Sequence, residues 1–189
     1  MNDLWISKTV NKEPYHKVLT EDKIINIAGG TGSGKTTFTE KYRFNENYII
    51  IDTDQIKDER VANTLYAALL KEHLLKKYKT KQLDMVKDFT KIYLDILDYF
   101  KDYNQTIVID SAQFSNIEDV SLLKGEIYVL RTSVDESYKR CIERFKKNMI
   151  YSEEELESYK KRKLGMYEWV NKLNEFLERV DEVENGVHK

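Results

Sequence analysis

The sequence has few residues that would interrupt or cross-link the chain. It contains one proline, Pro14, one cysteine, Cys141, and only seven glycines. A lone cysteine cannot form an internal disulfide, which favours a reducing compartment over secretion. The scarcity of proline and glycine leaves long stretches free to form helices. These scarcities predict a compact, helix-rich cytoplasmic protein.

The sequence also has little net charge and no long apolar run. Lys and Arg total 31 against 33 Asp and Glu, so the net charge of -2 gives no overall field for nucleic acid or an anionic membrane. No run approaches the roughly 18 apolar residues of a membrane span, and residues 1–10 lack the pattern of a signal peptide. The sequence therefore predicts no membrane partner and disfavours nucleic acid. It does not indicate an oligomeric state.

The length of 189 residues, with 41% hydrophobic residues, suits a single domain around one core. We expect this domain to span residues 1–189, with an N-terminal extension at residues 1–22 and a lid region at residues 139–163. Residues 4–10 form a candidate strand within the extension, which the pattern does not place in a sheet. A further sheet strand after Val180 has little support.

Four apolar segments predict buried strands. They lie at residues 24–28, 48–52, 106–110 and 126–130, and each is a continuous run rich in Ile or Val, as in strands covered on both faces. Two apolar stripes at helical spacing predict helices with one face in the core. The stripes are Val86, Phe89, Tyr93, Ile96 and Phe100, and Met166, Trp169, Val170, Leu173, Phe176, Leu177 and Val180.

Alternation of strands with helices predicts an α/β fold, a three-layer αβα sandwich around a parallel sheet of four or five strands. In such sheets ligands gather beyond the carboxyl ends of the strands. Candidate functional residues should therefore follow each strand directly.

A glycine-rich loop follows the first predicted strand. Residues 29–36 fit G-x-x-x-x-G-K-[ST] without a mismatch and open a helix running toward Tyr42. Glycines let backbone N–H groups wrap phosphate oxygens, and the helix dipole adds positive potential. The alternative is a plain glycine-rich turn, which would not need the lysine and the hydroxyl. The candidate nucleotide-binding residues are Gly29, Gly30, Thr31, Gly32, Ser33, Gly34, Lys35, Thr36 and Thr37.

This pattern matches the phosphate loop (P-loop) of nucleotide-binding proteins, and it predicts two side-chain roles. Lys35 should reach the β and γ phosphates, and the Thr36 hydroxyl should contact a Mg²⁺ ion that bridges them. The predicted cofactors are therefore ATP and Mg²⁺.

Two carboxylates end the second predicted strand. Asp52 and Asp54 flank Thr53, and the period of two in a strand would send both to one face at the ligand edge. A phosphoryl acceptor must be oriented and must lose its hydroxyl proton, and Asp54 is our candidate for both tasks. The alternative is that Asp54 caps a helix starting at Gln55.

The third predicted strand ends in Asp110, the Walker B layout that places a carboxylate near Mg²⁺ or its waters. This signal is weak alone and gains weight beside the phosphate loop. Ser111 and Gln113 follow directly. They are candidates for binding the phosphoryl acceptor through hydrogen bonds, or else they are ordinary turn residues at a strand end.

A basic segment follows the fourth predicted strand. Arg140 and Arg144 share a helix face, and Lys146 and Lys147 continue into a predicted loop at residues 146–151, before a helix capped by Ser152. Arginines on a closing lid would stabilise charge on a transferring phosphoryl group. The alternative is a solvated helix face on which Glu143 balances the arginines. Arg131 and Arg162 are weaker candidates, and Cys141 is assigned to packing.

Residues 23–165 resemble the P-loop small-molecule kinases, which include shikimate, gluconate, adenylylsulfate and nucleotide kinases, zeta toxins and polynucleotide kinases. The resemblance rests on residues 29–36, on the D-x-D at residues 52–54 and on Arg140 and Arg144. It implies that Asp52 holds a Mg²⁺ water, Asp54 the acceptor hydroxyl and the arginines the triphosphate. The chain departs from the pattern at Lys57, where the group has arginine.

Three functions fit these patterns. The first is an ATP-dependent kinase for a nucleoside, a nucleotide or another polar metabolite. The second is a kinase for a nucleic-acid 5′ end or a nucleotide-sugar, as the resemblance allows. The third is an ATPase or switch without an acceptor, which would not need the D-x-D pair. The absence of an N-K-x-D guanine motif favours ATP over GTP.

Overall fold

The structure is a computed structural model that describes residues 14–30, 34–130, 134–148 and 153–183. In these ranges the strands are β1 (Tyr15–Val18), β2 (Ile24–Ala28), β3 (Tyr48–Asp52), β4 (Thr106–Ser111) and β5 (Glu126–Val129). The helices are α1 (Lys35–Thr39), α2 (Leu65–Tyr78), α3 (Phe89–Tyr99), α4 (Val134–Asn148) and α5 (Glu153–Glu182). Short 3-10 turns include Glu40–Tyr42, Thr53–Gln55, Phe114–Asn116 and Val120–Leu122.

The strands form one sheet in the order β1-β5-β2-β4-β3. Strands β2 to β5 pair in parallel, and β1 pairs antiparallel with β5 at the edge. The predicted α/β fold is therefore confirmed, with four of its strands at the predicted segments. The fifth strand is β1, at residues 15–18 of the predicted extension, whereas α5 runs through Val180. The candidate strand at residues 4–10 lies outside the described residues.

Both faces of the sheet are apolar, which explains the continuous Ile and Val runs. Alternate residues point to opposite sides: Ile49 and Ile51 of β3 join the larger core beneath the helices, while Ile50 packs with the smaller one. The larger core takes its helical side chains from α2, α3 and α5, and the smaller one includes Phe38 of α1. The sheet is thus the middle layer of the sandwich.

The C-terminal half of α5 is tied to the sheet by polar contacts. The ammonium group of Lys17 in β1 donates to the carbonyls of Val180 and Asp181 at 3.1 and 3.0 Å, and also to that of Val183. A cation is favourable there because the last carbonyls of a helix lack intrahelical partners. Arg179 donates to the carbonyl of Ile117, after β4, at 2.9 Å. These contacts hold the C-terminal half of α5 against the sheet.

Three helix predictions need correction. Helix α3 begins at Phe89, because Asp84 accepts hydrogen bonds from the N–H groups of Val86 and Lys87 in a turn and leaves the Val86 side chain exposed. Helix α4 extends through Asn148, so Lys146 and Lys147 lie in its last turn and not in a loop. The cause is that residues 146–148 contain no helix breaker.

The third correction concerns the helix after the phosphate loop. Its α-helical part ends at Thr39, and the segment reaches Tyr42 only as a 3-10 turn. The helical segment ends at Arg43, whose backbone is extended, and Phe44 follows in a left-handed conformation with φ 59°. Within the described residues, no helix is both long and apolar enough to cross a membrane.

Candidate active site

The candidate site lies where the parallel strands end. Asp52 at the end of β3 is in register with Asp110 of β4, and Ala28 at the end of β2 is in register with Ser111. Parallel strands present their carboxyl ends at one edge. The sheet therefore brings the phosphate loop after β2 and the carboxylates of β3 and β4 to the same place.

The phosphate loop contains one backbone conformation that requires glycine. Gly34 is the N-terminal cap of α1 and has φ 97°, a region that L side chains rarely adopt. Lys35 Nζ donates to the Gly30 carbonyl at 2.9 Å, so the ammonium group lies next to the start of the loop. Thr36 and Thr37 are exposed in the first turn. Thr31, Gly32 and Ser33 lie outside the described residues.

Asp110 is the most perturbed carboxylate at this edge. It is only 4% exposed, and its Oδ1 has no hydrogen-bond partner within the described ranges. Burial raises the pKa of Asp110 to about 7, partly offset by the positive charge of Lys35 and reinforced by the charges of Asp52 and Asp54. A buried carboxylate without a partner costs free energy unless a cation or a hydrogen-bond donor pairs with it. The position suits a metal ion or its water.

Asp52 and Asp54 have different local roles. Asp52 Oδ1 accepts from the Asp54 N–H at 2.9 Å and so caps the 3-10 turn that follows β3. Burial raises the Asp52 pKa, and the hydrogen bond from the Asp54 N–H opposes that rise. The side chain of Asp54 is 62% exposed and forms an ion pair with Lys57 at 3.4 Å.

The predicted shared face of Asp52 and Asp54 is therefore wrong, and so is the alternative that Asp54 is the cap. The cap is Asp52 and not Asp54. Asp54 belongs to the 3-10 turn Thr53–Gln55, so the period of two does not extend to it. The reason is local: the strand ends at Asp52, whose own side chain bonds the next turn.

Ser111 and Gln113 are held by protein partners. The Ser111 hydroxyl is buried and accepts from the Thr53 hydroxyl at 2.7 Å and from the Gln113 N–H at 2.9 Å. The Gln113 side-chain oxygen accepts from Asn116 at 2.7 Å. These bonds tie the end of β3 to the end of β4. Thr53, which sequence analysis did not single out, thus fixes the spacing of the two carboxylate-bearing strand ends.

The arginine segment reaches the phosphate loop. A Cβ on Gly34 would lie 3.6 Å from one guanidinium nitrogen of Arg140, so that group lies beside the loop. Arg140 Nε pairs with Glu136 at 3.3 Å, one turn earlier, whereas sequence analysis considered Glu143 as the balancing charge. Arg144 lies one turn later in α4, and Arg162 lies in α5. Arg131 lies outside the described residues.

Trp169 of α5 lies against the phosphate loop, although the sequence predicted a core position for it. A Cβ on Gly30 would lie only 2.7 Å from both Cδ1 and Nε1 of its indole, so the ring packs directly on the loop backbone. The Nε1–H group is buried without a hydrogen-bond partner in the part of the chain that the structure describes. Its place in an apolar stripe gave no signal of this contact.

These residues fit a nucleotide with a divalent cation. The described ranges contain no group of three or more His, Cys, Asp or Glu side chains that would hold a metal alone. Mg²⁺ commonly binds through one or two carboxylates together with substrate phosphates and water. Asp52, Asp110 and the exposed Thr36 hydroxyl match such a site with few protein ligands. Asp110 Oδ1, which has no partner among the described residues, could accept a hydrogen bond from a water bound to the ion.

Two comparisons with known proteins bear on this site. No curated protein matches the chain. The family model described as Zeta toxin matches residues 7–188, which is nearly the whole chain and includes every strand and helix described above. The P-loop kinase resemblance is therefore confirmed, and the chain belongs to the Zeta toxin family, a family of P-loop kinase-like proteins.

Proposed function

We propose that the protein is an ATP-dependent kinase that transfers the γ-phosphoryl group to a small polar acceptor, such as a nucleoside, a nucleotide or another metabolite. One observation carries the proposal: the phosphate loop, the buried Asp110 and the exposed Asp54 lie at one edge of a parallel sheet. Membership of a P-loop kinase-like family supports phosphoryl transfer.

The phosphate loop is assigned to the triphosphate. The backbone N–H groups of the loop and the hydroxyls of Thr36 and Thr37 would bind the phosphates. The Lys35 ammonium group, which donates to the Gly30 carbonyl, would bind phosphate oxygens. When bound, ATP would supply the phosphoryl group, and Mg²⁺ would offset the negative charge of the phosphates. Thr36, Asp52 and Asp110 hold the ion or its waters.

Asp54 is assigned to the acceptor. Its exposed carboxylate orients the acceptor hydroxyl and takes the proton as the oxygen bonds to phosphorus, while the bond to the β-γ bridging oxygen breaks and ADP leaves. Lys57 keeps the carboxylate in place by their ion pair. Arg140 and Arg144 stabilise the charge on the phosphoryl group in transit.

The proposal is tested by phosphoryl transfer from radiolabelled ATP with Mg²⁺ to an acceptor panel. The panel contains nucleosides, nucleotides, sugars, nucleotide-sugars and oligonucleotide 5′ ends. We expect slow hydrolysis alone and a large increase in labelled product with one small acceptor. Lys35→Ala should abolish both, because it lacks the phosphate-binding ammonium group. Hydrolysis that no acceptor diverts would contradict the kinase and favour an ATPase or switch.

A further inference from the structure

Trp169 in α5 makes a close contact with the phosphate loop. Its indole lies against Gly30, the residue whose carbonyl accepts the Lys35 ammonium group. Glycine is required there by space, since a Cβ would meet two indole atoms at 2.7 Å. The long helix α5 thus touches the backbone of the phosphate loop from a segment far away in sequence.

The indole N–H group of Trp169 has no hydrogen-bond acceptor among the described residues. Buried tryptophan N–H groups usually find such an acceptor. An unsatisfied buried donor costs free energy, which a ligand oxygen would recover. Asp110 Oδ1 is likewise buried and unpaired at the carboxyl edge. A donor beside the phosphate loop and an acceptor on the neighbouring strand are complementary to a phosphate and its cation.

From this contact and this unpaired donor, we propose that Trp169 binds the nucleotide: its Nε1–H donates to a phosphate oxygen of the bound triphosphate. This inference rests on the proposed function, because it takes the loop's ligand to be Mg-ATP. The phosphates are the expected partner, since the indole lies against Gly30 of the phosphate loop. Helix α5 thereby becomes part of the binding site.

The direct test compares Trp169→Phe with the native full chain by calorimetric titration with Mg-ATP and by thermal unfolding without nucleotide. Phenylalanine keeps an aromatic ring on Gly30 but has no N–H. We expect about tenfold weaker Mg-ATP binding with a melting temperature close to that of the native chain, because the lost donor has no protein partner. A core role alone would instead lower the melting temperature and leave the affinity unchanged.

A matched control is Tyr167→Phe. It removes the hydroxyl group from an exposed ring on the same helix, and it should change neither measurement. If Tyr167→Phe weakened Mg-ATP binding as much as Trp169→Phe, the effect would belong to the helix and the proposal would be wrong.

A second measurement keeps Trp169 and does not depend on the stability of a variant. The chain has two tryptophans, Trp5 and Trp169, so Trp5→Phe leaves Trp169 as the sole indole fluorophore. We expect Mg-ATP to change its emission and adenosine at the same concentration to leave it unchanged. An emission that is insensitive to saturating Mg-ATP would overturn the proposal.

The two proposals fail in different ways. If Mg-ATP binds and Trp169→Phe weakens that binding, but no acceptor receives phosphate, the kinase proposal fails and the role of Trp169 stands. If phosphoryl transfer is found and Trp169→Phe binds Mg-ATP as tightly as the native chain, only the role of Trp169 fails.

Discussion

Two buried polar residues on neighbouring strands differ in how the protein satisfies them. Asn26 of β2 is 0% exposed, and its amide donates to the carbonyls of Lys124 and Glu126 at 2.7 and 2.9 Å. Its oxygen accepts from the Tyr93 hydroxyl at 2.9 Å, which in turn accepts from the Lys124 N–H. Asp110 of β4 is almost as buried, but its Oδ1 has no partner among the described residues.

The difference separates a structural polar group from a functional one. A buried polar group that is fully paired within the fold contributes to stability and specificity. A buried carboxylate that the fold leaves unpaired costs stability, and such positions concentrate where a ligand completes them. Asn26 lies in the middle of its strand, whereas Asp110 lies at the ligand edge. Substitutions at these two positions should therefore change different quantities, stability at Asn26 and ligand binding or catalysis at the ligand edge.

The largest effect is expected at the ligand edge, from Asp54→Asn. The amide keeps the shape of the carboxylate but cannot take the acceptor proton, so transfer should fall by roughly 10² to 10⁴. Mg-ATP affinity should stay nearly unchanged, and stability should change by less than about 1 kcal/mol, because the Asp54 side chain is exposed and does not cap the turn. Single-turnover transfer to the identified acceptor measures the rate.

Two controls accompany this variant. Glu59→Gln removes another exposed carboxylate from the following loop and should leave the rate unchanged. Asp52→Asn should instead alter the Mg²⁺ dependence of the reaction, since that residue is assigned to a metal water. Transfer by Asp54→Asn at close to the native rate would remove Asp54 from the catalytic assignment.

The next largest effect is expected in the interior, from Asn26→Ala. It leaves the carbonyls of Lys124 and Glu126 and the Tyr93 hydroxyl with one partner fewer, so we expect a loss of about 2–4 kcal/mol in the free energy of unfolding. Urea unfolding measures it. The rate constant per folded molecule should not change below the unfolding transition.

Tyr93→Phe tests whether the network is coupled. It removes the hydroxyl that joins Asn26 to the Lys124 N–H. The double variant should therefore lose less stability than the sum of the two single variants. Additive losses would show that the two residues act independently and would weaken the contrast with Asp110.

Asp110→Asn should raise the free energy of unfolding, whereas Asn26→Ala should lower it. The ordinary carboxyl pKa of 3.8 is raised to about 7 in the folded protein, so between these values the native state binds more protons than the unfolded state and stability falls as pH rises. We expect the metal-free variant to lack this slope and to exceed the native chain by roughly 1–3 kcal/mol above pH 7. Urea unfolding at pH 5 and pH 8 measures it.

The accompanying loss should appear in function. Asp110→Asn should gain less stability from Mg-ATP than the native chain does, because an amide is a poorer partner for a hydrated cation. Identical pH profiles for the two proteins would mean that Asp110 does not carry the strained charge that its burial indicates.

The contrast between the two residues also shows what the sequence could predict. The central strands were predictable because each is an Ile- or Val-rich run buried on both faces, and the phosphate loop because its glycines and lysine follow one of them. Strand β1 was not, because Tyr15–Val18 is short and lacks an Ile- or Val-rich run, and its pairing with β5 is a property of the assembled sheet. The contact of Trp169 with Gly30 depends on the path of α5, which a local pattern does not contain. The unpaired state of Asp110 is likewise a property of the assembled edge.

The smallest effect is expected for Arg140→Ala in α4. The guanidinium lies beside Gly34 of the phosphate loop and also pairs with Glu136, and both side chains are partly exposed. An exposed ion pair contributes little, so stability should change by less than about 1 kcal/mol. The charge on the phosphoryl group develops only during transfer, so kcat should fall about tenfold or more while KM for ATP rises less. Arg144→Ala should follow the same pattern.

Two controls separate the charge at the loop from the charge of the helix. Glu136→Gln breaks the ion pair but keeps Arg140, so kcat should be retained if the guanidinium acts on the phosphates and not through Glu136. Lys146→Ala removes an exposed cation from the last turn of the same helix and should leave both constants unchanged. Equal losses in Arg140→Ala and Glu136→Gln would assign the effect to the helix surface. An equal change in kcat and KM would assign Arg140 to ground-state binding, and the ligand edge would then owe its transition-state stabilisation to Lys35 and the carboxylates.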